Sequence, residues 1–397
     1  MGCPMTDDRG FPALLSQALV AYTIEFDDEF EHRMPHVTSF GGPAGPEPPV
    51  SASGEPMRRP WLVSQAMWSN FMRFVEKDGV PLAELDDHTA NVAGLKRWGY
   101  IRVEPPLVRP TRAGSWAQAV WNRLDGVIDR RWQQRFGPDA VSGLRKSLQA
   151  VIGQATTKRT STGPGGTAAL TALPLYLPLV TYDNGMKTKY QIGSDRLPAV
   201  SARRHVPDVS SLDLSALLSQ VLLLFTIDYE RESALSLPIA ANTMRVLDNA
   251  GSRLRDLPLL AAVSRVAVSV SVGYLRRHGY VEVGPDPRAG RDKVASLTAL
   301  GREAREAHLR RRDLIEERWR DQFGAAEVSR LHDRLRHLFD QRDGGRPAMA
   351  LGLRPDPEGW RARGPYLARS SAMVADPAAS LPHHPMVLHR GGFPDGS

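Results

Sequence analysis

The sequence predicts a mainly α-helical chain with small β-hairpins, an α+β protein built from two copies of one module. Three observations carry this. Leu14-Leu15-Ser16-Gln17-Ala18-Leu19-Val20-Ala21-Tyr22-Thr23-Ile24-Glu25 returns as Leu217-Leu218-Ser219-Gln220-Val221-Leu222-Leu223-Leu224-Phe225-Thr226-Ile227-Asp228. Arg97-Trp98-Gly99-Tyr100-Ile101 returns as Arg277-His278-Gly279-Tyr280-Val281. Trp132, Phe136, Gly137, Val141, Ser142, Leu144 and Leu148 return as Trp319, Phe323, Gly324, Val328, Ser329, Leu331 and Leu335. Blocks repeated in one order, with like replacing like, mark an internal duplication.

Boundaries follow from the repeat. Residues 1–10 read as a disordered start, 11–154 as the first module, 155–210 as a Gly/Pro-containing connection and 211–341 as the second module. Residues 342–397, rich in Gly, Pro, Ala and Arg, read as an irregular C-terminal extension. A shorter likeness between Leu173-Pro174-Leu175 and Leu381-Pro382-His383 extends the repeat into both of these segments.

The second copy is the clearer one. Leu214, Leu217, Leu218, Val221, Leu222 and Phe225 form an apolar stripe of helical period. A second apolar helix is expected over 254–263. Ser264 suits the N-cap of the next helix, 265–277, because its hydroxyl can accept an otherwise unpaired backbone N–H. Val268, Val272 and Leu275 fall at i, i+4 and i+7 and give that helix a buried face, and Gly279 suits its end. Tyr280-Val281-Glu282-Val283 and Val294-Ala295-Ser296-Leu297 alternate like strands around a basic, turn-rich tip, 284–293. Thr298 can cap a long charged helix reaching Phe323, with Trp319 on its apolar side.

In the first copy, Pro81-Leu82-Ala83-Glu84-Leu85 is the short helix, and Asp86-Asp87-His88 leads into the helix ending at Trp98. Its hairpin tip, Glu104-Pro105-Pro106-Leu107, lacks the arginines of the second. Glu84, Asp86 and Asp87 make the approach to this helix acidic, unlike the second copy.

Helix–turn–helix followed by a hairpin is the winged-helix order, and at these residues the chain resembles the MarR family of regulators. The segment Asp286-Pro287-Arg288-Ala289-Gly290-Arg291-Asp292-Lys293, followed by Ser296-Leu297-Thr298-Ala299-Leu300-Gly301-Arg302, is similar to that family's wing and exit helix. Ala289 and Gly290 stand where the family usually carries a further Asp-Arg pair. The resemblance covers both modules and implies two tandem winged helix-turn-helix modules. In the family the first and last helices of two subunits form the dimer interface, so this chain is expected to be a monomeric pseudo-dimer.

By the same resemblance, double-stranded DNA is the partner. Arg265, Ser269, Val270, Gly273, Arg276 and Arg277 belong to the helix in the major groove, with Arg288, Arg291 and Lys293 on the wing. Lys96, Arg97, Arg102 and Arg109 are the weaker counterparts in the first copy. Two readings stand: both modules bind unlike half-sites, which is favoured, or the second binds and the first has become a scaffold or sensor. A small anionic or phenolic effector is also implied, with Tyr22, Phe26, Trp68 and Phe71 as pocket candidates, although their helical spacing favours a plain core.

Other classes are excluded or disfavoured. A single cysteine among 397 residues rules out a disulfide framework or a cysteine zinc site. Pro35 interrupts the His32/His36 pair, and His383, His384 and His389 lie in the irregular extension, so no metal or other cofactor is expected. No apolar run reaches the roughly 18 residues that span a membrane, and a cytoplasmic protein is expected. The net charge of +7 is compatible with an anionic partner. No phosphate loop, nucleophile elbow or zinc-protease motif occurs, so catalytic residues are not assigned and the chain is not expected to be an enzyme. The alternatives are a DNA glycosylase-like enzyme on tandem winged helices and an interaction scaffold without DNA binding.

Overall fold

The computed structural model describes residues 9–38, 42–65, 71–85, 92–160, 182–183, 187–188, 208–230, 232–248, 250–286, 289–359, 362 and 367–384, with side chains left undescribed at 156–160, 182–183, 187–188, 227, 230, 289–291 and 367–370. These residues are mainly helical, with small antiparallel sheets. Among the described residues no helix is long and apolar enough to cross a membrane.

Six long helices make the base: α1 (Phe11–Arg33) and, after the first hairpin unit, α3 (Arg112–Phe136) and α4 (Pro138–Thr160), then α5 (Leu214–Glu230), α9 (Ala299–Phe323) and α10 (Ala325–Asp340). The first unit holds β3 (Val80–Pro81), α2 (Val92–Arg97), β4 (Ile101–Glu104) and β5 (Leu107–Pro110). The second holds α6 (Leu237–Val246), β8 (Ser252–Arg253), α7 (Leu257–Leu260), α8 (Arg265–Arg277), β9 (Val281–Asp286) and β10 (Ala289–Leu297). Each unit has a three-stranded antiparallel sheet in the same order, β3-β5-β4 and β8-β10-β9.

Residues paired by the sequence repeat make the same bonds. Trp132 Nε1 donates to Glu25 Oε1 at 2.9 Å, and Trp319 Nε1 to Asp228 Oδ2 at 2.9 Å. Thr111 caps α3 by accepting from Gly114 N at 2.9 Å and donates to the Gly99 carbonyl at 2.6 Å. Thr298 caps α9 from Gly301 N at 3.0 Å and donates to the Gly279 carbonyl at 2.7 Å. A Cβ on Gly114 or Gly301 would overlap the carbonyl oxygen of Tyr100 or Tyr280, so both strand-to-helix joints require glycine.

The base contacts also exchange when the copies are swapped. Helix α1 lies against α5 and α4 against α10, while α4–α5 corresponds to α10–α1. The cores are unequal, however. The first unit's Phe71, Met72, Leu95, Tyr100 and Val108 join the cluster of the base, whereas the second unit closes a separate core around Ile239, Met244, Leu257, Val268, Leu275 and Ala295.

Two expectations need correction, and one element was not foreseen. The helix expected over 254–263 is only Leu257–Leu260. Arg253 pairs with Val294 in the sheet, and Ala262 turns to a φ of +55°, which ends the helix. A small antiparallel pair not foreseen, β1 (His36–Thr38) with β2 (Gly42–Ala44), follows α1. The extension after residue 341 is not irregular throughout its described residues. It forms a hairpin of β11 (Arg342–Asp343) and β12 (Arg346–Pro347), a 3-10 turn (Ala348–Leu353) and helices α11 (Leu367–Ala375) and α12 (Pro377–Ser380).

The cause of this folding lies in α1, which is buried on nearly every side and needs cover and polar partners. The 3-10 turn packs on it, and Met349, Leu353, Met373 and Leu381 join the core cluster to which it belongs. Ser16 Oγ donates to the Pro382 carbonyl at 2.9 Å, and Gln17 Nε2 donates to those of Ala378 at 2.8 Å and Leu381 at 3.1 Å. Buried hydroxyl and amide groups left unpaired would be costly. In the connection, α4 continues to Thr160, past the boundary expected at 154. The rest of the connection lies largely outside the described residues, apart from β6 (Tyr182–Asp183) paired with β7 (Lys187–Thr188) and a turn at Val209–Ser211. Of the start expected to be disordered, residues 1–8 lie outside the described ones, and Gly10 is the N-cap of α1.

Candidate nucleic-acid interface

Helix α8 owes its position to both ends. Ser264 Oγ accepts from Ala267 N at 3.0 Å. Tyr274 Oη donates to the Ala234 carbonyl at 2.9 Å and accepts from Ser236 N at 3.1 Å, tying the helix to the start of α6. Val268, Val272 and Leu275 are buried, as their spacing predicts. The buried arc is wider than that spacing, because α6, α7 and β9 all pack on the helix. Val270, taken from the sequence as a contact residue, is only 6% exposed and belongs to this core.

The outer stripe is Arg265, Val266, Ser269, Arg276 and Arg277, with Gly273 half-buried among them. Helix α8 contains no acidic residue. Val266, 54% exposed, was missed by the sequence reading. Its place beside Arg265, three residues before Ser269, was the available signal.

The second hairpin is braced by ion pairs that sequence reasoning did not find. Arg253 Nε meets the buried Asp286 at 2.7 Å, and Arg255 meets Asp292 at 2.9 Å. Lys293 is exposed. Arg288 lies outside the described residues, as does the side chain of Arg291.

The first unit differs in charge. Lys96 and Arg97 are exposed at the end of α2, with the Arg97 guanidinium 5.8 Å from the Trp98 ring centre. Arg102 and Arg109 face each other across β4 and β5. Glu104 sits between them, 3.3 Å from Arg102 and 3.4 Å from Arg109, so one carboxylate partly neutralises both. Residues 86–91, including the acids Asp86 and Asp87, lie outside the described residues.

Tyr22, Phe26 and Phe71 are fully buried core side chains and not the lining of an open pocket. Tyr22 packs edge-on to Trp132 at 5.4 Å and Phe26 against Trp121 at 4.8 Å. Trp68 lies outside the described residues. The Tyr22 hydroxyl leads to a group of carboxylates, donating to Asp129 Oδ1 at 3.1 Å. Arg145 meets Asp129 at 2.5 Å, and Arg73 meets Asp213 at 2.8 Å.

Burial, then the neighbouring Asp213, pushes the Asp125 carboxyl up to about 7. Burial also raises Asp129. It opposes the Asp213 carboxylate too, but Arg73 and the bonds from Ser215 and Ala216 hold that group below the ordinary range. Asp125 Oδ1 is buried without a hydrogen-bond partner. The folded state therefore holds a proton on Asp125 that the unfolded chain gives up above about 3.9. Stability from this group is greatest at low pH and falls as pH rises toward 7. Asp125→Asn is expected to gain on the parent protein between pH 5 and pH 8 in urea unfolding. An equal difference at both pH values would contradict the assignment.

Of the histidine pair considered from the sequence, His36 Nδ1 bonds the Met34 carbonyl at 2.7 Å, and His32 meets Asp356 at 3.1 Å. Among the described residues no group of His, Cys, Asp and Glu could hold a metal ion. No protein-family model, curated protein or solved structure matches the chain.

Proposed function

We propose that the chain is a DNA-binding transcriptional regulator of MarR-like type, its two copies folding as winged helix-turn-helix modules clasped as a pseudo-dimer within one polypeptide. The observation that carries the reading is α8: a helix capped by Ser264, locked inward by Val268, Val272 and Leu275, and presenting Arg265, Ser269, Arg276 and Arg277 with no acidic residue along its length. Such a face can enter a major groove. Arginine binds guanine through O6 and N7, serine accepts or donates to either base type, and phosphates take the remaining cations. Supporting it are the matched Trp–carboxylate and Thr-cap bonds, which give both copies the same frame.

The modules contribute unequally. Glu104 engages two of the four cations assigned to the first module, so the second module supplies the larger share of affinity. Small ligands would act by favouring one placement of the recognition helices over another.

The direct test is fluorescence anisotropy with a labelled random-sequence duplex in a salt series. Binding is expected to weaken linearly on a log–log plot, as counterion release requires. Absence of binding at low salt would refute the proposal. In the same assay, Glu104→Gln is expected to raise affinity severalfold and to steepen the slope by up to about 1.8, roughly 0.9 for each arginine released to a phosphate. An unchanged slope would mean that the first hairpin stays off the DNA.

A further inference from the structure

Three histidines meet where the C-terminal segment crosses from one core to the other. Leu381 sits in the core of the base, and Ser16 and Gln17 on α1 bind the carbonyls of Pro382, Ala378 and Leu381. Two residues on, the segment is gripped by α6 of the second unit. Asn242 Oδ1 accepts from the backbone N of His383 and of His384, each at 3.0 Å, and Asn242 Nδ2 donates to the His384 carbonyl. Helix α6 packs on α8, and its Ile239, Ala240 and Met244 belong to the second unit's own core. Four residues thus bridge the base to the unit that carries the recognition helix.

The side chains around this bridge would tolerate it only while the histidines are neutral. His384 is 4% exposed and His308, on α9, 2% exposed, with their rings 6.0 Å apart. The Nδ1 atoms of His383 and His384 are buried without a partner, while His308 Nδ1 is 3.0 Å from the Tyr229 hydroxyl on α5. The charges bearing on the rings are cations from every side: Arg9 ahead of α1, Arg245 on α6, and Arg311 and Arg312 on α9. Asp313, the next carboxylate along α9, is exposed, and Glu316 is engaged by Arg320 at 2.7 Å and His332 at 3.4 Å. Burial, then these arginines, lowers His308 and His383 to about 3; burial, then the neighbouring His308 and His383, then Arg312 and Arg245, holds His384 well below the ordinary range.

We infer that residues 381–384 form a pH-released strap: docked while its histidines are neutral, it fixes the second unit to the base, and on acidification their protonation expels it and frees that unit to pivot. The sign follows from linkage. Histidines undocked into water take up a proton near 6.5, whereas the docked ones resist it. Docking is therefore at full strength above that pH and weakens as pH falls below it. Each histidine contributes about a tenfold rise in the opening constant between pH 7.5 and pH 5.5, so His383 and His384 together give roughly a hundredfold.

The amides of His383 and His384 report opening directly, because both are bonded to Asn242. Their hydrogen exchange is measured at pH 7.5 and pH 5.5 and corrected for the intrinsic rate. The full chain is expected to show a rise of at least about a hundredfold, and the double variant His383→Gln/His384→Gln to lose about a hundredfold of it, keeping only what His308 adds. The single variants His383→Gln and His384→Gln each remove about one factor of ten and keep the test decisive should the double variant not fold. An opening constant unchanged between the two pH values, or an undiminished response in the variants, would overturn the strap. The consequence for DNA rests on the proposed function and is read separately, as duplex affinity at the two pH values. Failure to bind DNA at either pH would refute the regulator and leave the exchange result standing.

Discussion

Trp132→Ala and Trp319→Ala are each expected to cost about 3–5 kcal/mol, the range for deleting a fully buried large aromatic. Either loss is comparable with the whole stability of an ordinary domain. The mechanism is the same at both places. Each indole is fully buried between the first helix of its copy and a following phenylalanine, with Trp132–Phe136 at 5.3 Å and Trp319–Phe323 at 5.1 Å. Each also donates its only polar hydrogen to a buried carboxylate, Glu25 or Asp228, so truncation opens a cavity and removes a charge-assisted hydrogen bond together. Trp116→Ala, at a side chain 42% exposed, is the control and should cost far less. Urea unfolding of the three variants checks this. Equal losses at Trp116 and Trp319 would show that the paired indoles do not hold the base together.

The triple variant Arg265→Ala/Arg276→Ala/Arg277→Ala is expected to reduce duplex affinity roughly a hundredfold at moderate salt and to flatten the log–log salt slope by up to about 2.7. Three outward cations are removed from one helix face, and all three are exposed, so the fold should be unchanged. Arg310→Ala is the matched control, because Arg310 lies on α9 and pairs with Glu306 at 3.7 Å. It should alter affinity by no more than two- or threefold. Full affinity and slope in the triple variant would remove α8 from the interface.

What the sequence revealed, and what it hid, divides by range of interaction. Ser264 and Thr298 were legible as caps because capping is local. Val268, Val272 and Leu275 were legible because one helix face needs only its own periodicity. Val270 was misassigned because the width of a buried arc depends on how many neighbours pack on the helix, which periodicity does not report.

Glu104 was noticed as part of a poor tip. Its hold on Arg102 and Arg109 depends on strand register, Arg102 opposite Arg109. The C-terminal segment was the largest misreading. Its Gly/Pro-rich composition has little tendency to fold alone, and its order comes from α1, more than 350 residues away in sequence. His384, dismissed as a metal ligand in a loose tail, became a buried group only through that long-range contact.

The central claim is that one polypeptide does with two unequal modules what separate subunits do with equal ones. Duplexes selected from a random pool by the full chain, then footprinted and sized with the protein bound, test it most directly. The account predicts a non-palindromic site held by a single chain, with two contact regions about one helical turn apart, roughly 34–36 Å, the stronger of them lost in the α8 triple variant. No enrichment of any sequence, or a symmetric site occupied by two chains, would contradict it.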